Sequence, residues 1–223
     1  MSNSKEQFLK TEFFIFSWKA ATEHNLVWNK NTTDKAKGNF RKNIKEFLED
    51  KLLKEYGERK VTEEEHIKNI ADLQEKSIEL GNRLNFGTCQ KLLNMMCKYY
   101  WCVGFIEEPP HLPIDSINLK NAGIKDCNWT QIEDKNEYKS IIDKIRKKAG
   151  SQSLAEWEIV NWKRKTILMN SKLFKKNKKN AKFFHKKNTF CVFIIKYTSK
   201  VPFFVWEIFP RILGKSPKGI LTS

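Results

Sequence analysis

The sequence predicts an all-α fold: a compact bundle of about six helices around a buried central helix, followed by a basic extension. Three observations predict it. Apolar residues recur at helical spacing through the first 164 residues, with no alternating strand pattern before residue 165. Helix-start residues precede those segments, above all Thr62 with Glu65 and Ser153 with Glu156. The stretch 88–103 is apolar over most of its circumference, and a helix of that kind needs neighbours on several sides.

In chain order, residues 5–23 form a first helix with a wide apolar face, Phe8, Phe13, Phe14, Phe16, Trp18 and Ala21. Asp34 is placed to cap a second, whose Phe40, Ile44, Phe47, Leu48, Leu52 and Tyr56 keep the period to a stop at Gly57. The third, opened by the Thr62–Glu65 box, carries Ile67, Ile70, Leu73 and Ile78 and ends near Gly81. It is polar enough for a surface position. The central helix carries Leu92, Leu93, Met95, Met96, Tyr99, Tyr100 and Trp101, and Gly104 stops it. A proline loop follows, Pro109-Pro110-His111-Leu112-Pro113. Asp115 is then placed to cap a short helix at 116–120. A helix over 134–149 points Tyr138, Ile141, Ile142 and Ile145 inward, and the Ser153–Glu156 box opens the last one.

Charge divides the chain. Residues 1–160 hold 26 Lys and Arg against 25 Asp and Glu, a net of +1. Residues 161–223 hold 16 basic residues and one acid, Glu207, so +15 of the total +16 lies there. The predicted organisation is therefore a helical domain over 3–164 and a basic, aromatic-rich extension over 165–223, irregular or weakly β-prone. In the extension Lys172, Lys175, Lys176, Lys178, Lys179, Lys182, Lys186 and Lys187 interleave with Phe183, Phe184 and His185. Lysines can neutralise phosphates while aromatics stack on bases, so nucleic acid is the favoured partner. An anionic membrane surface is the less favoured one. The same composition also suits a disordered appendage, or an AT-rich frame read without selection, because it lacks caps and periodicity. Residues 189–213 are long enough to span a bilayer, but Lys196, Lys200, Pro202, Glu207, Pro210 and Arg211 oppose that reading.

Two groups of residues are candidates for chemistry. His111, on the stiff loop, is placed to act as acid or base with Asp115 orienting it, which would make a metal-independent hydrolase or nuclease. The alternative is an exposed loop histidine beside a capping aspartate. On the central helix Lys91, Asn94 and Lys98 form a polar stripe with Gln90 beside it. It is either a solvated face or an anion-binding site in which the amides give directional hydrogen bonds.

No metal or cofactor is expected. His24, His66, His111 and His185 are scattered, no Cys/His spacing is that of a zinc site, and no nucleotide-binding or hydrolase motif occurs. The five cysteines include no CxxC pair, and Cys89 and Cys97 would stand roughly 12 Å apart along a helix, beyond disulfide reach. Reduced thiols and a start without a signal-peptide core point to the cytoplasm. The residues thus predict a non-enzymatic intracellular binding protein, with the hydrolase as the alternative.

Overall fold

The structure is a computed structural model, and it describes residues 4–25 and 27–162. The expectations placed on 165–223, including its eight lysines, lie outside the described residues. Within them the fold is all-α, with seven α-helices and no strand. They are α1 (Ser4–Thr22), α2 (Asp34–Lys51), α3 (Glu63–Glu79), α4 (Phe86–Cys102), α5 (Ser116–Asn121), α6 (Lys135–Ala149) and α7 (Leu154–Asn161). A wider turn, Leu52–Tyr56, continues α2, and a short 3₁₀ turn, Trp129–Gln131, precedes α6.

Local chemistry sets most helix ends where the sequence puts them. The Thr62 hydroxyl accepts from the Glu65 N–H, and the Glu65 carboxylate accepts from the Thr62 N–H. Asp134 caps α6 through the N–H groups of Asn136 and Glu137, and Ser153 caps α7 through that of Glu156. Two caps differ from expectation: Ser153 accepts from the Glu156 N–H without the return bond that would complete a box, and α2 is capped one residue earlier. Thr33, not Asp34, accepts the capping bond of α2, because Thr33 is the last residue in extended geometry and Asp34 is already helical.

Helix α4 is the centre: 14 of its 17 residues are buried, so neighbours cover it on all sides. Helices α1 and α3 pack along it, and α2 packs against α3. Tyr138 of α6 meets Phe86 of α4 with ring centres 5.6 Å apart, and Ile141, Ile142 and Ile145 fill the adjoining core. Helix α3 is more than the surface helix its composition suggests. It buries His66, Asn69, Ile70, Leu73 and Ser77, a stripe in which polar residues occupy inward positions.

The first turn of α4 lies unusually close to the 3₁₀ turn. Gly87 donates its N–H to the Ile132 carbonyl at 2.9 Å, and a Cβ on Gly87 would stand 2.1 Å from the Trp129 carbonyl oxygen. Only a glycine fits without moving one backbone from the other. Gly87→Ala is therefore expected to lower stability by about 1–3 kcal/mol, the usual cost of overpacking. Gly38→Ala, in the exposed part of α2 with nothing within 4 Å of the new methyl, should raise stability by about 0.5–1 kcal/mol. Urea denaturation of the two variants side by side checks both signs.

Candidate functional site

The proline loop does return to the central helix, and Gln90 is what holds it there. The Gln90 Nε2 donates to the Ile114 carbonyl at 2.9 Å, and its Oε1 accepts from the Ile114 N–H at 3.0 Å. Glu107 donates its N–H to the Tyr56 carbonyl at 2.9 Å, and the Ser153 hydroxyl bonds the Glu108 carboxylate. These anchors turn His111 inward, where it is 1% exposed.

His111 joins a chain of hydrogen bonds that crosses the bundle with a single direction. At one end the Lys51 ammonium, a donor only, bonds the Asn69 Oδ1 at 2.8 Å, which turns the Asn69 amide nitrogen toward Glu55 Oε2 and the Tyr56 hydroxyl. Tyr56 therefore accepts from Asn69 and donates its own proton to His66 Nδ1 at 2.8 Å. His66 then carries its proton on Nε2 and donates to Asn94 Oδ1 at 2.9 Å. The Asn94 amide donates onward to the Tyr138 hydroxyl at 3.2 Å and to Gln90 Oε1 at 3.3 Å. Tyr138 donates to His111 Nδ1 at 3.0 Å. His111 Nε2–H is left facing Glu63 Oε2 at 3.5 Å, too long for a hydrogen bond, while the other Glu63 oxygen pairs with Arg146 at 2.6 Å.

Both imidazoles in this chain are neutral. Burial lowers His66 to about 4, opposed only by its bond to Asn94. Burial also holds His111 well below the ordinary histidine value. The nearby His66 ring, 5.0 Å away centre to centre, works in the same direction, as do Arg146 and Lys139. The Tyr56 and Tyr138 phenols are pushed up by burial and stay protonated.

The arrangement is suited to holding the helices in register rather than to moving protons. Asn69 and Asn94 are links in the chain, and an amide donates and accepts without relaying a proton. What the chain does supply is direction: each member's donor and acceptor are fixed by its neighbour, so α3, α4, α6 and the proline loop fit together in one register.

Asp115 does not orient His111. Its Oδ1 accepts from the N–H groups of Ile117 and Asn118 at 2.9 and 2.8 Å and caps α5. The pairing fails because Asp115 lies beyond the Gln90 clamp, with its side chain committed to the helix start.

The polar stripe of α4 is buried at Lys91 and Asn94 and half-buried at Lys98, so it is not a solvated face. Gln90 and Asn94 are 0% and 1% exposed and belong to the chain just described. Lys98 takes another route: its ammonium meets Glu158 Oε1 of α7 at 2.8 Å, and the Asn118 amide donates to the same oxygen at 3.3 Å. Burial works against the Lys98 charge, but the adjacent Glu158 carboxylate outweighs it and holds the ammonium above the ordinary lysine value. Lys91 lies 3.8 Å over the Trp129 ring, a cation–π contact, and burial lowers its pKa against the opposing pull of Asp115. The four expected anion-binding residues are thus split. Gln90 and Asn94 act together, while Lys91 and Lys98 have separate internal partners.

Tyr56, Glu63, His66, Tyr138 and Glu158 are members of these clusters that reading the sequence for chemistry passes over. A signal exists for His66: it stands at i with Ile70 and Leu73 at i+4 and i+7, a polar residue on an inward stripe. Among the described residues, no group of three or more His, Cys, Asp or Glu is arranged to hold a metal ion, and no helix is long and apolar enough to cross a membrane. No protein-family model, curated protein or solved structure matches the chain.

Proposed function

We propose that this chain is a non-enzymatic binding protein that contacts nucleic acid electrostatically through its basic extension, residues 165–223. The observation that carries the reading is the charge partition, +15 in the last 63 residues against +1 in the first 160. The helical domain supports the non-catalytic side of the proposal, since His111 is enclosed and its chain of partners is interrupted by amides. A hydrolase acting through His111 would first have to open the contact between Glu63 and Arg146 that lies against it. Lysine is a point charge without arginine's planar fork, so binding is expected to be blind to sequence and sensitive to salt.

Cys89 and Cys97, both buried and unpaired, with burial raising both thiols, support a reducing, cytoplasmic setting. The phosphate contacts assigned are Lys172, Lys175, Lys176, Lys178, Lys179, Lys182, Lys186 and Lys187. If all of them engage a single strand, the logarithm of affinity falls with that of salt at a slope of about −6. Fluorescence anisotropy with labelled single-stranded RNA and duplex DNA, read across a salt series, measures that slope. Changing those eight lysines to glutamine in the full chain should flatten the slope and remove most of the affinity. Ending the chain after Lys165 should have the same effect. Unchanged affinity in both variants, or no binding by the full chain, would refute the proposal. Tighter binding to phosphatidylserine vesicles than to either nucleic acid would transfer the tail to a membrane role.

A further inference from the structure

Helix α1 has an apolar face on each side. Phe14 and Ala21 are buried, yet Ile15 is 44% exposed. A helix apolar all round normally has cover all round. Beside Ile15, α1 and α2 leave a groove of about 630 Å³ between them, lined also by Trp28.

From this groove we infer a docking site for an amphipathic helix of another protein, apolar on one face and acidic along its flank. The first reason is shape. Thr11, Ile15, Trp18 and Thr22 line the groove at i, i+4, i+7 and i+11, a strip about 16 Å long, which matches three turns of a partner helix.

The second reason is charge. Arg41, Lys42 and Lys45 form the α2 wall and Lys19 adds a fourth cation from α1, with no acid in the lining. Lys45 is tied to Glu49 at 2.8 Å and Lys42 reaches Glu46 only at 3.9 Å, whereas Arg41 has no ion pair among the described residues. Carboxylates on the partner would find Arg41 open and Lys42 nearly so.

The same charge disfavours two other occupants. A second copy seated face to face would set cation against cation, and the chain's own 172–187 segment is as basic as the wall. Nucleic acid would suit the wall but not the floor. Trp18 is 8% exposed, and its ring is engaged by Trp28 at 6.0 Å and Phe40 at 6.1 Å. Trp28 is itself held edge-on by Phe40 at 5.5 Å, so the two indoles of the lining are packed on one another and on Phe40 rather than standing free for a base to stack on.

The test is a displayed library of 15-residue helical peptides with apolar residues at i, i+4, i+7 and i+11 and randomised Asp, Glu, Lys and Ser elsewhere. It is sorted on the full-length protein. Recovered binders should be enriched in Asp and Glu, and lysine-substituted versions should lose binding at least tenfold. Arg41→Glu with Lys42→Glu should weaken the best binder tenfold or more, and so should Ile15→Glu. These are surface positions, so circular dichroism of the variants should be unchanged. No binder, binders indifferent to both variants, or a selection enriched in lysine would overturn the inference. Displacement of the peptide by a 172–187 peptide or by single-stranded RNA would also overturn it, by giving the groove to that occupant.

Discussion

Lys98→Met is expected to lower the stability of this protein by about 3–5 kcal/mol, the cost of leaving a buried charge without its partner. Glu158 is 1% exposed and Lys98 has 12% of its side chain exposed, so water cannot replace the missing ammonium. Asn118 still donates to the carboxylate at 3.3 Å, which softens the loss without neutralising the charge. The companion variant decides the cause. Lys98→Met with Glu158→Leu removes both charges in favour of apolar groups of similar size and should recover most of the stability. If the double variant is as unstable as the single one, the lysine stem's packing is responsible and the ion pair is not.

The size of this defect should also depend on pH. Burial already raises the Glu158 carboxyl in the folded state against the opposing Lys98 charge, so removing Lys98 should raise it further and make the folded state bind a proton more readily still than the unfolded chain. The defect is then largest above the ordinary carboxylate range and shrinks as pH falls. Urea midpoints at several pH values measure both effects.

Acid destabilisation of the intact protein is the second large effect expected. His66 is lowered to about 4 in the folded state from an ordinary value near 6.5. Between those values the unfolded chain binds a proton that the folded chain refuses, so stability rises with pH across that window. It is complete above about 6.5 and falls away on acidification, by about 3 kcal/mol from His66 in all. His111 is lowered for the same reason and adds loss in the same direction. A loss of that size is a large part of the 5–15 kcal/mol that holds a typical domain folded.

Acidification forces a choice on the oriented chain. A protonated His66 would point a second N–H at the Tyr56 hydroxyl, which already accepts from Asn69. Stability measured from pH 7.5 to 4.5 should therefore fall, and His66→Gln should flatten that dependence while lowering the pH 7.5 value. A profile unaffected by the substitution would assign the acid sensitivity elsewhere.

Much of the helical domain was legible in the residues themselves. Caps at Thr62, Asp115 and Ser153 are local: a side-chain oxygen reaches an N–H two or three residues on, so short-range chemistry places the helix start. The position of α4 was legible for a different reason. A helix apolar on nearly every side can satisfy the hydrophobic effect only at the centre of a bundle. The charge partition is likewise a property of composition alone.

The meaning of the polar residues was not legible, and the site shows why. Periodicity assigns Lys91, Asn94 and Lys98 to one stripe but does not say what faces that stripe. Solvent and a buried partner demand the same residue types there, and only packing chooses between them. Here α7 brings Glu158 to Lys98, α3 brings His66 to Asn94, and the 3₁₀ turn brings Trp129 to Lys91. The same holds for His111. The sequence determined that it stands on a stiff turn after the central helix. The tertiary structure, through the Gln90–Ile114 clamp and the arrival of Tyr138 from α6, decided that it faces inward as one neutral member of a hydrogen-bonded chain.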